Sequence, residues 1–224
     1  EKGGDFSAWP TQLFDPLSGV LTPGQALPIS RSPFSGNRVP ASRFSPVSQA
    51  LLKYWPDPTR PCATPCNNYE ASTSTPVRMD QHTVRLDHNF STSDRVFGQY
   101  LYSKETAPIP SVIPLSGVVT QQSSWLASAQ WTHVFNSRMV NELRAAYNHF
   151  LFDQNFETQG KGVMYWKEAG LRNLNEKYEA LPAIIPGSQY TNIGYAGSVP
   201  FFSISNTQHF VEHFSFITGK HTLK

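Results

Sequence analysis

The chain has 224 residues, a net charge of +2, charged residues at only 15% against roughly 25% in ordinary soluble domains, and aromatics at 13%. That charge is too small to argue for nucleic acid or an anionic lipid surface as partner. No run of about 18 apolar residues is present, which excludes a membrane-crossing helix.

The first residues, Glu1 to Asp5, are polar and carry no apolar leader, and an alternating pattern is still running at Lys224. The expectation is an internal piece of a longer chain.

Residues 1–79 hold twelve of the 18 prolines. The segment "DPLSGVLTPGQALPISRSPFSGNRVPASRFSP" is rich in turn formers and has little periodicity. One short helix is expected at about 45–54, with Ser45 as cap and Pro46 in the first helical position. The remainder of 1–79 reads as a long irregular loop. Cys62 and Cys66 are spaced C-x3-C in a proline-rich stretch with no His or Cys nearby to complete a zinc site. They read as a local disulfide formed outside the cytoplasm, with free thiols as the alternative.

Beyond residue 79 the period changes to two. Strands are expected at about 80–90, 95–104, 123–135, 140–153 and 207–217, with a sixth from 221 onward. They are about twice as long as ordinary globular strands and suit a tilted bilayer crossing of about nine to eleven residues. The connections alternate between short (91–94, 136–139, 218–220) and long (105–122, 154–206). Tight turns at one end and long loops at the other describe an antiparallel meander forming part of a transmembrane β-barrel. The expected strands contain no proline, as a span in hydrocarbon requires of its hydrogen-bonded ladder, and Gly98 is their one glycine.

Side chains on such strands alternate between lipid and lumen. The lumen-facing candidates are Arg85, Asp87, Gln99, Glu142 and Arg144, which could form charge ladders across strands. Tyr100, Tyr102, Trp125, Trp131, Tyr147, Phe214 and Phe216 are expected to face lipid or its boundary, where aromatic girdles sit. Two places fit poorly. Glu212 falls on the face of Phe210, Phe214 and Phe216, and His149 joins the apolar face while Phe150 and Phe152 join the polar one. A bulge would restore the register there. In the loop 154–206, Tyr165, Trp166, Tyr190 and Tyr195 are candidates for ligand contact.

Two strings suggest chemistry. "HFVEH" (209–213) matches the inverted zinc-peptidase pattern, which needs a helix to bring its histidines together. In a strand His209 and His213 stand about 13 Å apart and Glu212 points the other way. Asp87 and Asp94 flank a turn rather than forming a catalytic pair. No catalytic residue, metal or cofactor is expected, and the protein is read as a non-enzyme.

Five stretches in order, "GDFSAWPTQLFDPLSG", "GNRVPASRFSPVSQALLKYWPDP", "VRLDHNFSTSDRVFGQYLYS", "WTHVFNSRMVNELRAAYN" and "GKHTLK", resemble signatures of TonB-dependent outer-membrane receptors. The subgroup is Oar-like, with a carboxypeptidase-regulatory-like N-terminal domain. The resemblance implies a barrel of about 22 strands with an N-terminal plug, in the outer membrane of a bacterium. It implies outer-membrane lipid and the TonB complex as partners, the latter through a plug absent from these residues. It also implies energised uptake of a bulky nutrient ligand (an oligosaccharide, peptide or metal chelate), and it makes residues 1–79 an extracellular loop. Three alternatives stand beside it: a soluble extracellular β-sandwich adhesin or carbohydrate-binding module, a metallohydrolase built on His209, Glu212 and His213, and an adhesion barrel without TonB coupling.

Overall fold

The computed structural model describes residues 1–21, 24, 26, 30–61, 67–187 and 190–224. Cys62 and Cys66, and with them the expected disulfide, lie outside the described residues. The chain divides into two compact units, Glu1–Trp55 with Trp166–Leu174, and Pro56–Tyr165 with Asn175–Lys224.

The second unit is one six-stranded antiparallel sheet: β1 (Arg78–Asn89), β2 (Asp94–Ile109), β3 (Val118–Asn136), β4 (Met139–Phe156), β5 (Phe201–Thr218) and β6 (His221–Leu223). Each strand pairs with its sequence neighbours, in the order β1-β2-β3-β4-β5-β6. The short turns are built from local polar chemistry. The Ser91 hydroxyl accepts from the amides of Ser93 (3.0 Å) and Asp94 (2.9 Å), and Asn136 Oδ1 accepts from the Arg138 amide at 2.9 Å. Gly219 takes the left-handed conformation (φ +58°) that the last tight turn demands.

At the long-loop end the strands run further than their alternation indicates. β2 continues through Pro108 to Ile109, β3 begins at Val118 and β5 at Phe201. These ends read "TAPI", "VVTQQ" and "FFSISN", where alternation is weak, yet the ladder stays paired, with Pro108 opposite Val119. The connections shrink to 110–117 and 157–200 accordingly. No bulge occurs within Val140–Phe156: β3 and β4 stay in register from Val118–Phe156 to Val134–Val140, and the shift lies beside the turn, between Val134 and Asn136. The expected repair at His149 is therefore unnecessary. His149 stays on the aromatic face because Trp125 stacks on it (5.8 Å) and Asn206 Oδ1 lies 2.7 Å from its Nδ1.

Among the described residues no second sheet packs on either face. Large apolar side chains in the strands stay open, Leu86 at 73% and Phe210 at 74% exposed. What is buried in this unit sits in and beside the long loops: Ile113, Ser116, Val118, Thr120, Thr158, Ala180, Leu181 and Ile193 among them. Segments 110–117, 157–165 and 175–200 close on one another. The Gly117 amide donates to Glu157 Oε1 (3.0 Å), the Gly194 amide to Ser116 Oγ (2.9 Å), and Ile184 and Ile193 exchange backbone hydrogen bonds. Gly194 has φ +69°, and a Cβ there would come within 2.7 Å of the Leu181 carbonyl oxygen.

The first unit has little regular structure beyond the helix α1 (Pro46–Leu52), where Pro46 opens the helix as expected but Ser45 makes no side-chain cap bond. A buried asparagine organises it. Asn37, at φ +57°, donates from Nδ2 to the carbonyls of Phe6 (3.0 Å) and Thr11 (2.9 Å), and its Oδ1 accepts from the Leu13 amide at 2.6 Å. These bonds draw "GDFSAWPTQL" onto "SGNRVP". Gly4 (φ +81°) permits the close approach, since a Cβ would meet the Phe44 ring at 2.6 Å. Asp5 pairs with Arg38 at 3.0 Å, and the Ser7 hydroxyl and amide, with Arg38 adding to them, hold its carboxyl down to about 2. Asp15 is lowered too, first by the Leu17 amide and then by Arg43, which donates to Asp15 Oδ2 at 2.8 Å.

Candidate functional site

Strict pairing assigns every strand residue to one of two faces. On the aromatic face, partners across the sheet form rows. One row is His82, Tyr102, Trp125, His149 and Asn206. The next is Val84, Tyr100, Ala127, Tyr147 and Gln208, followed by Leu86, Gly98, Ala129, Ala145 and Phe210. Below these lie His88, Val96, Trp131, Leu143 and Glu212, then Asp94, His133, Asn141 and Phe214. Rows are about 6.7 Å apart along the strands.

Tyr100, Tyr102, Trp125, Trp131, Tyr147, Phe214 and Phe216 therefore share this face. Rings cluster at two heights. Trp125 contacts Tyr147 at 5.1 Å and stacks near Tyr100 at 6.4 Å, while toward the short turns Phe135 meets His133 at 4.4 Å and Phe214 at 6.3 Å. Between them Gly98, Ala129 and Ala145 leave a low, uncharged stretch. Trp131 and Phe214 are 41% and 43% exposed. Glu212 lies on this face, as the alternation requires, beside Leu143.

The polar groups at the short-turn edge of the same face are tied together. Asp94 Oδ1 accepts from Trp131 Nε1 (3.0 Å) and lies 2.6 Å from His133 Nδ1, while the Ser91 hydroxyl donates to Oδ2 at 2.9 Å. An indole N–H directed to a carboxylate at a strand end is the orientation of a ring that is apolar along its body and polar at its tip.

The opposite, charged face carries Arg85, Asp87, Gln99, Glu142 and Arg144. They lie toward the short-turn end. Arg85 forks onto Asp87, donating to Oδ2 at 2.8 Å and Oδ1 at 2.9 Å, and its guanidinium lies 4.0 Å from the Phe97 ring centre. Arg95 adds a longer contact to Asp87 at 3.4 Å. Arg144 donates two bonds to Gln130 Oε1, at 2.9 and 2.6 Å. Glu142 stands opposite Thr132 and His213, and Gln99 opposite Arg85 and Ser128. Arg95 and Gln130 complete this set but were not among the sequence candidates. The alternation that selects Gln99 also selects Arg95, four residues earlier on the same strand.

His209 and His213 also lie on the charged face of β5, with Glu212 on the other. The segment 207–217 is strand rather than helix, so the zinc-peptidase geometry does not form. The loop candidates separate. Trp166 is buried, 5% exposed, within a single helical turn at Tyr165–Glu168. Buried, it is not a presented ring; the chain turns after it, with the Leu171 amide bonded to the Trp166 carbonyl at 3.0 Å. Tyr165, Tyr190 and Tyr195 are half-buried.

Over residues 1–224 the chain matches the family model of an outer membrane beta barrel domain. The comparisons with curated proteins and with solved structures give no match. A soluble β-sandwich, the leading alternative from sequence, would need a second sheet covering Trp131 and Phe214, and the family match together with the single sheet overturns it. The chain belongs to the outer membrane beta barrel domain family, an antiparallel β-meander of the bacterial outer membrane whose surroundings include membrane lipid.

Proposed function

We propose that the chain is barrel wall and external loop of a TonB-dependent receptor of the Oar-like kind, taking up a bulky nutrient through energised passage. The observation that carries this reading is the segregation of the two faces. An aromatic, nearly uncharged band on one side suits acyl chains, and paired guanidinium, carboxylate and amide groups on the other suit a water-filled interior. Arg85, Asp87, Gln99, Glu142 and Arg144 line that interior. The Arg85–Asp87 pair and the bonds from Arg144 to Gln130 keep this wall polar and hold its guanidinium groups in place.

Passage needs no bond-making chemistry, and the protein acts by binding and release rather than as an enzyme. The TonB complex would act through a plug that these residues do not contain. Tyr165, Tyr190 and Tyr195, half-buried among the long loops, would meet a ligand before the wall does.

The test is uptake by cells producing the full-length protein, with labelled oligosaccharides, peptides and metal chelates, in the presence and absence of TonB. The expected outcome is accumulation of one class that stops when TonB is deleted or the proton gradient is collapsed. Accumulation at the same rate without TonB refutes the energised mechanism.

A further inference from the structure

The charged face is not uniform along its height. Every charged pair described above lies toward the short turns. From the row of Thr83, Leu101 and Leu126 upward to the long loops, Glu105 is the one charged residue among the described residues of that face. In this upper part β4 presents Phe150, Phe152 and Phe156. Pairing sets Phe150 between Ser124 and Ser205, and Phe152 between Gln122 and Ser203. Each ring therefore has a hydroxyl or amide residue on either side, about 4.8 Å away across the ladder.

The rings lie in one line along β4, with Gln154 between Phe152 and Phe156. Phe201 meets Phe152 edge-on at 5.7 Å, and Phe156 meets Tyr178 of the long loop at 6.4 Å. Phe150 and Phe152 are half-buried and Phe201 is 47% exposed, so ring surface remains for a ligand to remove from water. Flat apolar rings flanked by neutral hydrogen-bonding groups complement a molecule with apolar ring faces and a hydroxyl-bearing rim. The near absence of charge disfavours an ionised peptide or metal chelate, whose desolvated charges would find no partner here.

We infer that the Phe150–Phe152–Phe156 column is a contact track for a neutral oligosaccharide, running from the long loops down to the charged rows. This rests on the proposed function only in taking the charged face as the interior wall, and it chooses among the ligand classes named there.

The experiment is calorimetric titration of the full-length protein in detergent micelles with cellohexaose and maltohexaose, and with a charged hexapeptide for comparison. Binding of at least one neutral hexasaccharide and not of the hexapeptide is expected. Phe152→Ala should weaken that binding about threefold to tenfold, the range of one lost ring contact, and Phe210→Ala on the opposite face should leave it unchanged. Phe152→Leu serves where the alanine variant fails to assemble. Absence of binding by both sugars at millimolar concentration overturns the inference, as does binding that ignores position 152. A photo-crosslinker at position 152 that captures another segment of the same protein in the absence of sugar also overturns it, since the column would then be covered. TonB-dependent uptake of a charged chelate with no sugar binding sinks this inference alone. Sugar binding with TonB-independent uptake sinks the energised mechanism alone.

Discussion

Replacing Asn37 tests how the proline-rich first unit holds its shape. Its side chain makes three short bonds, to the carbonyls of Phe6 and Thr11 and from the amide of Leu13, at 3.0, 2.9 and 2.6 Å. Each is worth about 1 kcal/mol net, so Asn37→Gly, which keeps the left-handed backbone available, should cost about 3 kcal/mol. Asn37→Ala loses the same bonds and also strains φ +57°, adding about 1 kcal/mol. The assay is hydrogen exchange of the full-length protein, read at amides that Asn37 does not itself bond. Val39, whose amide donates to the Gly4 carbonyl at 2.8 Å, and Phe34, which donates to the Leu13 carbonyl at 2.9 Å, report opening of the whole unit. A loss of about 3 kcal/mol accelerates their exchange by about two orders of magnitude, with the alanine variant about fivefold faster again. Exchange at both amides that stays near the parent rate in Asn37→Ala would refute the view that this asparagine holds the unit together.

Three further outcomes are expected. Ala129→Arg and Ser128→Arg place the same charge on adjacent residues of opposite faces; the first should lose about 2–4 kcal/mol of folding stability and the second little, measured by urea unfolding in lipid vesicles, and equal losses would refute the face assignment. Gly194→Ala should loosen the packed long loops, because its Cβ would press on the Leu181 carbonyl at φ +69°; protease cleavage within 175–200 should rise while the sheet remains intact. The pairing of Asp5 should make the first unit acid-sensitive: its carboxyl lies at about 2 against an ordinary 3.8, so its contribution is complete above about 4 and is lost as pH falls toward 2. Proteolysis of residues 1–55 by pepsin should accelerate across that window, and Asp5→Asn should abolish this part of the pH dependence.

The meander was legible because the period-two signal is physical: where one face meets an apolar medium and the other a polar one, every second residue must change character. The residues from Val84 to Tyr102 and from Trp125 to Trp131 show it plainly, and their pairing follows. The strand ends at 105–109, 118–122 and 201–206 were illegible because alternation there carries no contrast in polarity, while backbone pairing continues without one. The bulge expected near His149 came from reading polarity as orientation. A histidine stacked on Trp125 and bonded to Asn206 is satisfied on the aromatic face, and Phe150 and Phe152 are satisfied beside each other's neighbours on the charged one. Apart from the helix opened by Pro46, the first unit could not be read as a fold. Its order depends on one left-handed asparagine reaching back about thirty residues to Phe6, and no local pattern announces that.

The carboxylate of Asp94 has a consequence for assembly. Sliding one strand against the next by a single residue reverses all side chains and is opposed along the entire ladder, whereas a slide of two residues restores the same polarity on each side and meets little resistance from alternation. Asp94 sits at the start of β2 yet grips Trp131 and His133 of β3, while the Val134 amide reaches the Ser93 carbonyl at 2.8 Å. A two-step slide would break all of these at once. The turn between β1 and β2 thus works as a latch on the neighbouring strand, choosing one alignment among several that hydrophobicity alone would accept.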